Sequence, residues 1–183
     1  MTDSALLVMD VQRVVVERYP DPGYLPRLRK AVEAARAGGV PVIYVVVGFR
    51  PGYPEISARN KMFGPLAGAP ADAGSGEATR IHPDVAPEPG DVVVTKRRVS
   101  AFAGSDLDVV LRAGGIDHLV LTGIATSGVV LSTLRQAADL DFGLTVLADA
   151  CLDADPEVHR VLVEKVFPQQ AEVTTVDDWA AAR

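Results

Sequence analysis

The stretch that decides the fold is His118-Leu119-Val120-Leu121-Thr122-Gly123-Ile124-Ala125-Thr126-Ser127-Gly128-Val129-Val130-Leu131. Residues 118–122 are an apolar run of strand length, and from 129 to 141 apolar positions recur at helical spacing. The few residues between them must turn the chain sharply from strand to helix. Such a turn is a common seat for a nucleophile or an anion-binding loop. Its centre carries Val129, which has no reactive atom.

The same alternation extends in both directions. Short apolar runs at 5–9, 40–47, 91–95, 144–147 and 171–174 read as further strands, Pro41 being tolerable near a strand start. Helical spacing recurs at 24–37, where Gly38-Gly39 supplies the stop, and at 106–113 and 156–167. Strands apolar on both faces, separated by helices, imply a parallel sheet covered on both sides. With right-handed crossovers this is a doubly wound α/β fold. The expectation is a mostly parallel six-stranded sheet with helices on both faces, a Rossmann-like three-layer arrangement. One domain over residues 1–183 is expected, interrupted by a Pro-, Gly- and Ala-rich segment at about 48–90. A segment of that length reads as a lid or an oligomer contact. Trp179, with Ala180 to Ala182, reads either as a docking point for a partner subunit or as a frayed tail.

Composition narrows the function classes. The chain has 183 residues, 48% hydrophobic and 23% charged, with a formal net charge of -6. Lys96-Arg97-Arg98 is the longest basic block, which argues against nucleic acid as a partner. No apolar run is long enough to cross a bilayer, and Met1-Thr2-Asp3 lacks the basic character of a signal peptide, so a cytoplasmic protein is expected. The single cysteine, Cys151, excludes an internal disulfide framework and a cysteine-based metal cluster. No Asp-x-His or His-x-x-His spacing occurs near Arg50 to Glu55, and neither a metal nor a cofactor is implied.

In a doubly wound sheet, ligands bind beyond the carboxyl ends of the strands. Three features converge there: Asp10 after the first strand, Lys96 after the third, and the 123–129 turn after the fourth. A carboxylate and an ammonium placed together can hold each other ionised or share a proton with a substrate. Each also has a plainer reading, as a turn residue, a surface lysine and a simple connection capped by Thr126 or Ser127. Of the histidines, His118 and His159 read as packing or surface residues, and His82 as a loop residue within reach of a ligand. Arg50, Arg97 and Arg98 are candidates for a bidentate grip on a substrate carboxylate, Arg98 more readily a surface residue.

At these residues the sequence resembles the isochorismatase-like hydrolases, often called cysteine hydrolases. Ala5-Leu6-Leu7-Val8-Met9-Asp10-Val11-Gln12 is similar to their first-strand motif. Thr95 to Phe102, followed by Ser105-Asp106-Leu107, is similar to their lysine motif. Leu121 to Gly128 resembles their nucleophile turn, and Val146 to Ala150 the strand that follows. The resemblance spans residues 5 to about 151. It implies Asp10 and Lys96 as catalytic residues, a cis peptide at Ile124–Ala125, and an oxyanion hole in the turn of Ile124, Ala125, Ser127, Gly128 and Val129. Gln12 and Phe102, inside the matched motifs, join Arg50 and Arg97 as candidate substrate contacts. The family cysteine falls at position 129, where this chain has valine. Cys151, placed past the next strand, reads as a small buried residue, and Ser127 lies two positions from the required one.

Two function classes follow. One is a thiol-independent hydrolase of a small organic molecule, cleaving a vinyl-ether C–O or a C–N bond, with Asp10 as general acid or base and Lys96 as its partner. The other is a non-catalytic small-ligand-binding or scaffold protein. A buried Asp–Lys pair is costly unless well satisfied, which weighs toward chemistry. The resemblance also implies a homodimer or higher homo-oligomer. Whether burial or Lys96 sets the acidity of Asp10 is a question for the structure.

Overall fold

The computed structural model describes residues 3–70 and 76–182. Six strands form one sheet in the order β3-β2-β1-β4-β5-β6, and every pairing is parallel. They are β1 (Ser4–Met9), β2 (Val42–Val47), β3 (Val92–Lys96), β4 (His118–Ile124), β5 (Gly143–Leu152) and β6 (Glu172–Thr174). The helices are α1 (Arg13–Val16), α2 (Tyr24–Ala37), α3 (Leu107–Ala113), α4 (Leu131–Asp139), α5 (Pro156–Val161) and α6 (Val176–Ala181). The chain starts in the middle of the sheet, runs outward to β3, returns past β1 and finishes at β6. That reversal puts the ends of β1 and β4 at the crevice where such folds take ligands.

The strand alternation sorts the core into two layers. Ala5, Leu7 and Met9 of β1 pack with Leu119 and Leu121 of β4 against Leu107 and Leu111 of α3 and Leu134 and Ala137 of α4. Leu6 and Val8 face the other way, toward Leu28, Ala31, Val32 and Ala35 of α2. The buried positions of α2 are spaced three and four apart, as a single apolar face requires. The helix stops at Gly38, and Gly39 follows at φ +68°, a conformation that glycine takes without a Cβ penalty. At α5, Pro156 holds the first position and Asp155 accepts the Glu157 N–H at 2.8 Å, a side-chain N-cap.

The parallel sheet and its helical cover match the expected architecture. Three local readings need correction. Strand β5 runs on to Leu152 across an irregularity opposite Leu121–Gly123, so Cys151 lies in the strand, paired with Gly123. Helix α6 is part of the fold: Thr175 caps it at Asp178 N, and Trp179 is buried with Val176 in the layer of α2. Trp179 is therefore neither a frayed end nor a free docking point. The helix expected at 129–141 begins earlier, as a wide helical turn over Thr126–Val130 that leads into α4. The 48–90 segment carries short turns and an aromatic group in which Phe49 meets Phe63 edge-on at 5.3 Å. It is tied to the chain just past β1 by an isolated bridge between Gln12 and Ile81.

Candidate active site

Asp10 is the first residue beyond β1, and its N–H still donates to Val45 O at 2.8 Å. Its φ of +57° turns the chain out of the sheet, a left-handed conformation that aspartate tolerates better than most residues. Lys96 ends β3, two strands away, and reaches across the end of β2. Its Nζ lies 2.9 Å from Asp10 Oδ2 and donates also to Arg98 O at 2.9 Å. Lys96 is only 2% exposed and Asp10 only 8%, so the pair is held out of water.

Burial has the larger effect on the acid. It pushes the Asp10 carboxyl up from 3.8 to about 6, against the downward pull of the Lys96 charge and hydrogen bond. Asp10 Oδ1 is buried and has no hydrogen-bond partner among the described residues. Leaving a buried polar oxygen unsatisfied costs about 1–3 kcal/mol, so such an oxygen is a place where a bound molecule gains by donating a hydrogen bond.

The turn closes the same edge. Gly123 ends beside β1 at φ +139°, and a Cβ there would fall on the Met9 carbonyl oxygen, so this position admits only glycine. The Ile124–Ala125 peptide is cis. Ala125 O then accepts from Gly128 N at 3.0 Å and Val130 N at 3.3 Å. Two side chains from beyond β5 pin the turn from the far side. Asp153 Oδ2 accepts the Ser127 N–H at 2.7 Å, and His159 Nδ1 lies 2.8 Å from Oγ1 of the buried Thr126. Neither Asp153 nor the structural use of His159 was evident from sequence, because the contacts span 26 and 33 residues.

Val129 is 2% exposed and belongs to the apolar layer that contains Leu121 and Val130. The Ser127 hydroxyl is exposed, and no side chain among the described residues hydrogen-bonds it. Cys151 is buried, and desolvation pushes its thiol up to about 12, which keeps it protonated and unreactive.

The remaining candidate contacts separate from the Asp10–Lys96 pair. Gln12 is 2% exposed: its amide nitrogen donates to Val47 O at 3.1 Å and Thr79 O at 2.6 Å, and its oxygen accepts Val47 N at 2.9 Å. With both donors committed, it ties the end of β2 to the 79–81 segment and is not free to hold a substrate. Gln12→Ala is expected to lose about 2–3 kcal/mol of stability, since three interior bonds lose their partner. Urea unfolding checks this, and a loss under about 0.5 kcal/mol would refute the tie.

Phe102 is in the core, its ring 6.0 Å from Phe142, which gives it a packing role. Arg50 and Arg97 both engage Glu55 Oε1, at 3.4 and 3.5 Å, while Arg97 also donates to Gly48 O and Arg98 to Glu55 O. Glu55 Oε2 is buried without a hydrogen-bond partner among the described residues. His82 caps a short turn, its Nδ1 accepting Asp84 N at 3.3 Å.

Among the described residues, no group of three or more His, Cys, Asp or Glu side chains is placed to hold a metal ion, and no helix is long and apolar enough to cross a membrane.

The site thus combines a carboxyl–ammonium pair at the ends of β1 and β3 with a cis-peptide turn after β4. The isochorismatase domain model matches residues 4–178. This chain belongs to the isochorismatase family. It is 34% identical over 202 residues to the ureidoacrylate amidohydrolase RutB of Stutzerimonas stutzeri (strain A1501), a match covering 96% of this chain and 77% of that protein. An isochorismatase family protein from Burkholderia thailandensis has the same fold, with a TM-score of 0.85 and 31% identity over 100% of this chain and 96% of the other. The N-carbamoylsarcosine amidase of Thermoplasma acidophilum superposes at a TM-score of 0.76 and 28% identity, covering 96% of this chain and 98% of that one.

Proposed function

We propose that this isochorismatase-family chain hydrolyses a small organic molecule without a thiol nucleophile, Asp10 moving the proton and Lys96 setting its charge. The observation that carries the reading is the buried Asp10 carboxyl, raised to about 6, with one oxygen on Lys96 and the other unpartnered. Near that pH the group exists in both protonation states, as an acid–base catalyst working close to neutrality needs. Lys96 stabilises the carboxylate left after the proton is given. The relatives named as amidohydrolases and amidases support hydrolysis as the reaction class.

Of the two bond types, a vinyl ether suits this site better than an amide. Protonation of the terminal enol carbon by Asp10 activates the ether carbon toward water. Water adds there, the hemiketal collapses, and a ketone and an alcohol leave while a proton returns to Asp10. An amide also needs a strong nucleophile, and Val129 stands where the family's cysteine would. The turn from Ile124 through Ala125, Ser127 and Gly128 to Val129 walls the site. Arg50 and Arg97 take a substrate carboxylate only in exchange for Glu55, which holds both. We further propose self-association through the 48–90 segment; light scattering on the eluting protein reads this directly, and a monomer would refute it.

The test is turnover followed by mass spectrometry on a mixed panel of vinyl ethers, nicotinamide, ureido acids and N-carbamoyl amides. Conversion of a vinyl ether that is lost in Asp10→Asn supports the proposal. Conversion that survives in Asp10→Asn removes the acid–base role. Silence across the panel favours a ligand-binding protein.

A further inference from the structure

Beyond the carboxyl end of β5 lies a cleft of about 540 Å³ that neither Asp10 nor Lys96 lines. Its size falls within the roughly 300–1,000 Å³ usual for small-molecule sites. Pro20, Leu152, Ala154 and Pro156 give it apolar surface, and Tyr19 adds an aromatic ring.

The charges around it do not cancel. Asp21 and Arg27, at 2.7 Å, neutralise each other. Asp149, Asp153 and Arg18 also line the cleft, and none of the three has an ion-pair partner among the described residues. The two carboxylates are half-buried and meet only neutral backbone donors: Asp149 Oδ1 accepts Val176 N at 2.8 Å, and Asp153 Oδ2 accepts Ser127 N at 2.7 Å. Arg18 is exposed. His159 adds no compensating charge at neutral pH, because burial lowers its imidazole below the usual value. Two half-buried carboxylates and one exposed guanidinium therefore share the cleft with apolar surface. Complementarity to that pattern requires a ligand with a cationic head, an apolar body and an anionic group nearby.

We propose that this cleft binds a small zwitterion with an apolar body, an α-amino acid with an aromatic or aliphatic side chain. Its ammonium meets Asp149 and Asp153, and its carboxylate meets Arg18. Because Asp153 also holds the Ser127 amide, an occupant of this cleft is felt at the turn beside Val129.

The experiment is calorimetric titration of the intact protein with L-phenylalanine, phenethylamine and 3-phenylpropanoate, which share a ring but differ in charge. Saturable binding of L-phenylalanine is expected, with each singly charged analogue roughly tenfold weaker, the loss of one charged hydrogen-bonding group. Asp153→Asn keeps an acceptor for Ser127 N and Arg18→Gln is a surface change, so both should fold, and each should weaken L-phenylalanine roughly tenfold. Amide shift mapping should place the occupant at residues 148–159 and Ser127. No saturable binding, equal affinity for a singly charged analogue, unchanged affinity in either variant, or shifts centred on Asp10 and Lys96 would each overturn the proposal. None of these readouts depends on turnover, so failure here is distinct from failure of the hydrolase reading.

Discussion

Asp10→Asn is expected to lower kcat by about three orders of magnitude, in the middle of the range for removing a positioned acid–base group. Asparagine is nearly isosteric and is among the few residues that accept the φ of +57° found here, so the backbone exit from β1 survives. Its amide still offers Lys96 an oxygen. What disappears is the titrating proton, and KM should therefore change far less than kcat. Ser127→Ala provides the contrast. That hydroxyl is exposed and no side chain among the described residues hydrogen-bonds it, so the variant should keep nearly the full rate. The measurement is initial rate against substrate concentration for the three proteins, each first checked for native circular dichroism. A rate for Asp10→Asn within tenfold of wild type would transfer the proton step to another group. A collapse in Ser127→Ala would install the serine as nucleophile.

The parts of this molecule that local pattern controls were legible in its sequence. Strand β1 and helix α2 are read from apolar runs and spacing alone, because each buries its own contiguous pattern. The convergence of Asp10 and Lys96 followed from a topological rule, since strand ends in a parallel sheet share one edge. What could not be read depends on distant partners. Nothing near Gln12 in the chain announces that Val47 and Thr79 will consume its amide, or that Glu55 will hold Arg50 and Arg97. Phe102 lies within a family-like motif yet packs beside Phe142, and only the folded arrangement decides that. Helix α6 is six residues long with three alanine or valine positions, too short to show a face until Trp179 is seen buried beside α2. The acidity of Asp10 was likewise undetermined: burial and Lys96 act in opposite directions, and only the completeness of burial makes the first prevail.

The second large effect concerns that balance. In the native protein Asp10 titrates at about 6, whereas the unfolded chain titrates at 3.8. Between those values the folded state holds a proton that the unfolded state has lost, so stability falls as pH rises through the window and levels off above about 6. Two pH units correspond to about 3 kcal/mol. Lys96→Met removes the charge that restrains the shift, so the Asp10 pKa should rise further. The falling limb of the pH–rate profile for acid catalysis should then move to higher pH. The same variant should also lose about 1–2 kcal/mol of stability at neutral pH, because the lone buried carboxyl must keep a proton that the unfolded chain has released. In Asp10→Asn the buried Lys96 keeps Arg98 O as its remaining strong partner; it must either stay charged there or give up its proton well below the usual lysine range, and the expected loss is about 3–5 kcal/mol. Adding Lys96→Met to Asp10→Asn should recover most of that loss, since the double variant buries no charge. Urea unfolding of the four proteins at neutral pH closes the cycle. Equal losses in the two single variants, with no recovery in the double, would mean that the pair is not coupled through its charge. A pH limb that stays in place in Lys96→Met would mean that Lys96 does not set the acidity of Asp10.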